Sequence, residues 1–326
     1  MRITRRRLGQ IGAGLPLATL ASGHASAQAY PSRPITWVVA YGPGTGTDLL
    51  ARQIGERVSS ILGQRIVVDN RPGASGMIGT EMVARSRPDG YTMLFGNNQT
   101  MAVNISFYRE IRYDPRRDFT PIARLVSQDS VLVVNPRVPA RSVEELVQYG
   151  RANPDRLNFG SPGAGASAHL AGETFKAAAR FSMTHVPYNN SQLFADLLSG
   201  VVSLSFYPYL TLKQHIASGA LVALATTGST RSPWLPQLPT MVELGYPDVV
   251  FTSWFGLYGP AGLPAESTSA LAEATRRALA DPELRSAMSD SATRIEYGGP
   301  QELAAFTASE IERYKPIIAR AGGAVG

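Results

Sequence analysis

The chain has 326 residues, enough for two α/β domains, and its apolar share of 44% is that of an ordinary soluble protein. Its net charge of +6 overstates how basic the body of the chain is, because four of the arginines lie among the first seven residues. No Lys/Arg cluster remains beyond them to indicate a nucleic-acid surface. The absence of cysteine excludes disulfides, thiolate nucleophiles and Cys-zinc sites.

Residues 1–29 have the three parts of an export signal. A basic start, MRITRRRLGQ, precedes the short apolar stretch IGAGLPLATLAS, and overlapping small-residue sites predict cleavage near Ala27 or Ala29. The segment Thr4–Leu8 resembles a twin-arginine motif, and an arginine-rich secretory start is the alternative. We therefore expect a periplasmic protein, and without cysteine it cannot carry a lipid-modified N-terminal cysteine.

The next part of the chain alternates strands with helices. Apolar runs rich in β-branched and aromatic residues predict strands over 34–41, 64–70 and 91–96. Between them lie a helix ended by Gly63 and a second helix over about 77–85. This β-α-β-α-β order predicts a parallel sheet with right-handed crossovers.

A second α/β series lies between two long extended segments, over 124–136 and 251–260. A chain that leaves one domain, builds another and returns explains this order, and the two crossing strands would form a hinge beside a cleft. The predicted division is residues 30–128 for the first part of domain 1, 129–250 for domain 2, and 251–326 for the return segment of domain 1.

Two glycine-rich loops each follow a predicted strand and open a helix. The first, residues 42–48 (GPGTGTD), lacks the spacing of a dinucleotide fingerprint and the Lys of a P-loop. Its simplest interpretation is a tight turn with Thr47 or Asp48 as the N-cap. Free N–H groups at a helix start also favour a carboxylate. The second loop, residues 160–167 (GSPGAGAS), has the same arrangement of a glycine-rich turn before a helix start. We therefore expect the two loops to grip the ends of one small acid.

The sequence offers no positive sign of catalysis or of a metal site. His169 lies in the first turn of a helix, His185 within an apolar strand and His215 on an amphipathic helix, and structural roles are expected for all three. No metal-binding histidine motif is present, and no string completes the G-x-S-x-G pattern of serine hydrolases. The aromatic residues expected near the cleft are Tyr41, Tyr188, Tyr207 and Tyr209, for which edge packing is the alternative.

Several blocks resemble a known family, the TctC-like Bug family of extracytoplasmic solute-binding proteins of tripartite tricarboxylate transporters. The blocks extend over essentially the whole mature chain and follow the family order. They are YPSRPI at 30–35, NRPGASGMIGTEMVARSRPDGYTMLFG at 70–96, YDPRRDFTPIA at 113–123, LNFGSPGAGASAHLAGETFK at 157–176, HVPY at 185–188 and SWFGLYGPAGLP at 253–264.

The resemblance implies a type II periplasmic binding protein, with two doubly wound α/β domains joined by two crossover strands. It implies a small organic carboxylate as ligand, held by backbone amides, hydroxyls and water, and delivery to a membrane permease. It implies no cofactor, no metal and no catalysis, and we expect a monomer. The expected ligand-binding residues are Tyr41, Gly42, Thr45, Gly46, Thr47, Asp48, Asn97, Ser161, Gly163, Ala164, Ala166, Ser167, Tyr188, Asn189 and Tyr207.

The chain departs from the family pattern where the second domain meets the cleft. Ala164 and Ala166 stand where the family often has Asn and Thr, and Tyr207-Pro208 stands where an Asp-Asn pair is common. These changes make the pocket edge less polar and more aromatic. They suggest a ligand with an aromatic or longer apolar body rather than a small amino dicarboxylate. The alternatives are a sensor that feeds a membrane receptor and an exported esterase acting at Ser161 or Ser167.

Overall fold

The structure, a computed structural model, describes residues 30–188 and 192–320. The predicted export signal therefore lies outside the described residues. The strands are β1 Ile35–Val39, β2 Ile66–Asn70, β3 Thr92–Asn97, β4 Phe119–Val134, β5 Asn158–Ser161, β6 Thr184–Pro187, β7 Leu204–Pro208, β8 Val222–Thr226, β9 Thr252–Pro260 and β10 Thr293–Gly298. The helices are α1 Gly46–Leu62, α2 Met77–Ala84, α3 Asn104–Phe107, α4 Val143–Ala152, α5 Ser167–Ala179, α6 Gln192–Ser199, α7 Tyr209–Ala217, α8 Ala265–Ala280, α9 Pro282–Asp290 and α10 Pro300–Arg320.

One half of the curled sheet has the strand order β2-β1-β3-β9-β4-β10. Strand β1 is parallel to both β2 and β3, as the alternation of strands and helices predicts. Strand β9 is antiparallel to β3 and to β4, and β10 is antiparallel to β4. The predicted α/β class is confirmed.

The other half has the order β8-β4-β7-β5-β6. Strand β5 is parallel to β6 and β7, whereas β4 is antiparallel to β7 and β8. Both halves thus place the carboxyl ends of parallel strands toward the loops that the sequence singles out, which is where ligands bind in open α/β sheets.

Strand β4 belongs to both halves and changes partners within two residues. Asp129 pairs with Thr252 of β9, and Ser130 pairs with Pro208 of β7. We propose to divide the chain at this point, with residues 30–128 and 251–320 as lobe 1 and residues 129–250 as lobe 2. Thr227 ties the two connecting segments together, because its Oγ1 accepts a hydrogen bond from Ser130 N–H (3.0 Å) and donates one to the Phe251 carbonyl (2.5 Å).

Helix α1 shows why these residues pack as they do. Leu50, Ile54 and Val58 recur at helical spacing and are fully buried against the sheet of lobe 1. The helix ends at Gly63, whose φ of 65° suits glycine. Burial of each large side chain in this stripe contributes roughly 1.5–3 kcal/mol of favourable transfer free energy. This packing holds the amino end of α1 in a fixed position.

Two features of the fold were not predicted. Strand β4 begins at Phe119, earlier than the predicted residue 124, because its first residues pair with β9. A π-helical turn, Gln99–Val103, follows β3 directly and continues into α3. Both depend on contacts with distant segments rather than on local periodicity.

Candidate functional site

The first glycine-rich loop, residues 42–48, brings the start of α1 to the cleft. Thr45 has an extended backbone, and its Oγ1 accepts a hydrogen bond from Asp48 N–H at 3.4 Å, so Thr45 is the N-cap. The prediction of Thr47 or Asp48 was wrong. Gly44, with a φ of 79°, turns the chain sharply enough for α1 to begin at Gly46, which leaves Thr47 within the first turn.

Asp48 stabilises this loop through hydrogen bonds on the side away from the cleft. It is 2% exposed, and it accepts hydrogen bonds from Gly44 N–H (2.9 Å), Asn70 Nδ2 (2.9 Å) and Arg52 Nε (3.1 Å). Burial alone would raise the pKa of Asp48, but the hydrogen bonds from Arg52, Gly44 and Asn70 outweigh it and hold the pKa below its usual value. Asp48 is thus an ionised anchor of the loop and not one of the residues that line the cleft.

The second glycine-rich loop, residues 160–167, presents the start of α5 from lobe 2. Its N-cap is Ala166, which has an extended backbone and no side-chain hydrogen bond. The loop is held instead by the Gly165 N–H, which donates to His169 Nδ1 at 3.1 Å. The structural role expected for His169 agrees with this contact. Ala166, Ser167 and Ala168 face the cleft.

A third segment, Asn97–Gln99, completes the site from lobe 1. The Tyr41 hydroxyl lies 3.2 Å from both Asn97 Oδ1 and Gln99 Oε1. Asn98 Nδ2 donates to Ser167 Oγ of lobe 2 at 2.6 Å and lies 3.1 Å from the Tyr314 hydroxyl. Sequence reasoning missed Asn98 and Gln99. The run GNNQT, polar directly after a buried strand, was the signal that could have found them.

These segments enclose a cavity of about 90 Å³ between the lobes. Among the described residues that line it, none carries a formal charge. The lining consists of Tyr41, Thr45, Gly46, Thr47, Asn97, Asn98, Gln99, Ser130, Pro162, Ala166, Ser167, Ala168, Phe206, Tyr207, Pro208, Ser253 and Phe255. Four helical starts meet here, those of α1, α5, α7 and the π-helical turn.

Eight of the expected binding residues line this cavity: Tyr41, Thr45, Gly46, Thr47, Asn97, Ala166, Ser167 and Tyr207. The others lie away from its surface, namely Gly42, Asp48, Ser161, Gly163, Ala164 and Tyr188. Asn189 lies outside the described residues. The Tyr188 hydroxyl donates to Asp196 Oδ2 at 2.7 Å, and burial together with this carboxylate raises the pKa of Tyr188 to about 12. Burial likewise raises the pKa of Tyr207 to about 12, so both phenols stay protonated.

The lobes also touch at a point beside the second loop. The Tyr108 hydroxyl donates to the Ala164 carbonyl at 2.9 Å, and Ser75 Oγ lies 2.6 Å from the same hydroxyl. Ser75 has a φ of 52°, in the left-handed region that costs energy for a residue other than glycine. This conformation places its hydroxyl at the junction of the two lobes, 3.3 Å from the Ala164 carbonyl.

A serine and two histidines form a cluster under the second loop. Ser161 Oγ lies 2.7 Å from His185 Nε2, and the imidazole rings of His185 and His169 are 4.1 Å apart. Burial, with His169 close by, lowers the pKa of His185 to about 3. Ser161 is fully buried and also lies within hydrogen-bond distance (2.9 Å) of the Gly163 carbonyl. These contacts of Ser161 hold the second glycine-rich loop in place.

Neither a metal site nor a membrane span is found in residues 30–188 and 192–320. No group of three or more His, Cys, Asp or Glu side chains in that part of the chain could hold a metal ion. None of its helices combines the length and the apolarity needed to cross a bilayer.

An uncharged cleft between two α/β lobes, ringed by helix starts, defines a two-lobed solute-binding protein. The family model of the tripartite tricarboxylate transporter family receptor, TctC, matches residues 50–322. The chain belongs to this family, and the resemblance found in its sequence blocks is confirmed.

Solved structures agree with this assignment. R. palustris Rpa4515 with adipate is 34% identical, with a TM-score of 0.87 over 90% of this chain and 99% of that one. The periplasmic binding protein BugD is 32% identical, with a TM-score of 0.85 over 90% and 99%. MatC from Rhodopseudomonas palustris with bound malate is 27% identical, with a TM-score of 0.83 over 88% and 99%. The predicted fold class, that of periplasmic solute-binding proteins, is confirmed.

Proposed function

We propose that this protein captures a small organic carboxylate between its lobes and delivers it to a membrane permease of the tripartite tricarboxylate type. The observation that carries the proposal is the convergence of helix starts on a cavity lined by no charged side chain. The adipate and malate held by Rpa4515 and MatC support a carboxylate as the class of ligand.

Helix starts can bind a carboxylate without a cation. The first N–H groups of α1 and α5 have no acceptor within their own helices, and the positive end of each macrodipole attracts negative charge. Gly46 and Thr47 present such groups from lobe 1, and Ser167 and Ala168 present them from lobe 2. In a cleft screened from water these interactions are stronger than at an exposed surface.

The expected binding residues divide into two groups under this proposal. Tyr41, Thr45, Asn97, Ser167 and Tyr207, with the other lining residues, contact the ligand directly. Residues 42, 48, 161, 163 and 164 shape the loops through the hydrogen bonds that they make. Ligand contacts by residues 188 and 189 at the edge of the cleft stay predictions.

The body of the ligand is proposed from the apolar part of the lining. Phe206, Pro208 and Phe255 offer a surface for hydrocarbon. This surface fits either a short aliphatic chain or the aromatic body that the sequence departures suggest.

A thermal-shift screen of residues 30–326 tests the proposal. The screen compares aliphatic monocarboxylates, dicarboxylates and aromatic acids at matched concentrations. A true ligand at one hundred times its Kd adds about 2.7 kcal/mol to the free energy of unfolding, a readily measured shift. If no carboxylate raises the melting temperature while an uncharged solute does, the proposal fails.

Transport, rather than sensing or catalysis, is the second part of the proposal. Deletion of the gene should abolish uptake of the ligand; if uptake persists and only a transcriptional response is lost, the sensor alternative is correct. We propose that the protein is no enzyme, because Ser161 is fully buried and Ser167 Oγ accepts from Asn98. Turnover of activated esters that is lost in Ser161→Ala or Ser167→Ala would contradict this.

The cellular setting follows from the same proposal. We propose that residues 1–29 direct export and are removed, that the mature protein works in the periplasm, and that it binds as a monomer. Mass spectrometry of the secreted protein would give the first residue, and light scattering would give its mass in solution. Retention of residues 1–29 would refute the cleavage.

A further inference from the structure

Gln99 has a buried amide nitrogen that the protein leaves without a partner. The side chain lines the cavity and the residue is 4% exposed. Of the ten buried side-chain polar atoms that lack a hydrogen-bond partner among the described residues, only Gln99 Nε2 belongs to a residue that lines the cavity. Buried polar groups are paired in nearly all native structures, so this position makes a group on the ligand the natural partner of the amide.

The network around Tyr41 decides which atom of the Gln99 amide is free. The Tyr41 phenol has one proton and two acceptors within 3.2 Å, Asn97 Oδ1 and Gln99 Oε1. Asn97 Oδ1 already accepts from Thr100 N–H at 3.1 Å, and Thr100 Oγ1 lies 3.2 Å from it. With Asn97 Oδ1 occupied by Thr100, we assign the Tyr41 proton to Gln99 Oε1, which leaves the amide NH₂ as the unused side.

Tyr207 supplies a second donor from the opposite lobe. Its ring packs edge-on against Phe194, with centroids 4.9 Å apart, and Tyr207 lines the cavity. No described residue pairs with its hydroxyl. Gln99 on lobe 1 and Tyr207 on lobe 2 thus line the same cavity.

This inference rests on the proposed function. We propose that Gln99 and Tyr207 form a subsite of two hydrogen-bond donors that binds a second acceptor group on the ligand. The ligand is then an acid with a further carboxylate, carbonyl or hydroxyl oxygen. Amino acids bind poorly, because no Asp or Glu lines the cavity to compensate an ammonium group. Helix starts hold the first carboxylate, and the subsite sets the specificity.

Matched probes that differ in one group test the subsite by calorimetry. The pairs are glutarate with pentanoate, adipate with hexanoate and phthalate with benzoate, with glutamate as the ammonium probe. The wild type should bind the second acid of at least one pair at least tenfold more weakly than the first, and glutamate more weakly than glutarate. Gln99→Met removes the donor at nearly the same size and without adding charge. It should weaken dicarboxylate binding by about ten- to a hundredfold, as expected for a lost hydrogen bond to a charged group.

The monocarboxylates should change less than threefold in Gln99→Met, which a merely structural role would not produce. The ratio within each pair should therefore move toward one, and in part also in Tyr207→Phe. Gln99→Glu adds a carboxylate to the cleft and should weaken both acids of a pair by charge repulsion. Gln53→Glu, the same exchange at a half-buried position of α1 outside the cavity, should leave every ratio unchanged. Melting temperatures of the proteins without added acid check that the variants fold.

Three results overturn the inference. Equal loss of both acids of a pair in Gln99→Met would show that Gln99 only supports the fold. Equal binding of both acids by the wild type would leave the proposed function standing and the subsite refuted. Failure of the wild type to bind any of the probes would refute both.

Discussion

Replacing Asp48 by asparagine should loosen the first glycine-rich loop without changing its shape. Asp48 is 2% exposed, and its two carboxylate oxygens accept from Gly44 N–H, Asn70 Nδ2 and Arg52. An amide can accept at one atom only, so its NH₂ group would face at least one of these donors. A buried donor left unsatisfied costs about 1–3 kcal/mol. The exposed Arg52 adds little.

We therefore expect Asp48→Asn to lower the free energy of unfolding by about 2 kcal/mol, which corresponds to a fall in Tm of roughly 4–8 °C for a domain of this size. Calorimetric scans of both proteins at pH 7 measure it. Because the variant also frees the start of α1, carboxylate affinity should fall although Asp48 touches no ligand. The matched control is Asp89→Asn, which removes an exposed carboxylate that pairs with Arg33 and should shift Tm by less than 2 °C.

The pH dependence gives a second check on Asp48. Its pKa is lowered in the folded protein, so the stability it contributes is present above the unfolded pKa and is lost as the pH falls through the folded pKa. The Tm difference between wild type and Asp48→Asn should therefore shrink below about pH 4. A variant as stable as the wild type at pH 7, with unchanged affinity, would refute this account of the loop.

Three further predictions concern the lobes and the second loop. Tyr108→Phe removes a hydrogen bond between the lobes and should weaken ligand binding by about two- to tenfold through faster release, measured by stopped-flow fluorescence; unchanged release would exclude a role in closure. Asn98→Ala leaves Ser167 without its donor and should lower affinity more than Gln53→Glu does in calorimetry. The pKa of His185 is lowered to about 3, so wild-type stability should fall from pH 6.5 toward 3, because the unfolded chain takes up the proton. In His185→Gln that fall should be smaller in Tm scans across this range, and equal slopes would contradict it.

The order of strands and helices could be predicted because it depends on local pattern. The β-branched run of β1 and the helical spacing of Leu50, Ile54 and Val58 specify their elements whatever surrounds them. The glycine-rich loops could be recognised for the same reason, since a strand, a tight turn and a helix start are contiguous in the chain. The N-cap could not be assigned, because Thr45, Thr47 and Asp48 are all acceptable caps and the φ of Gly44 decides among them.

By itself the sequence determined the α/β class, the family and the two loops that meet at the cleft. Only the tertiary structure decided which side chains those loops present. Gln99 and Tyr207 come from different lobes, Asn98 reaches Ser167 across the cleft, and Asp48 turns away from it to meet Asn70. Such contacts join residues far apart in the chain, and they are set by packing and by the need to pair buried polar groups, which no local pattern records.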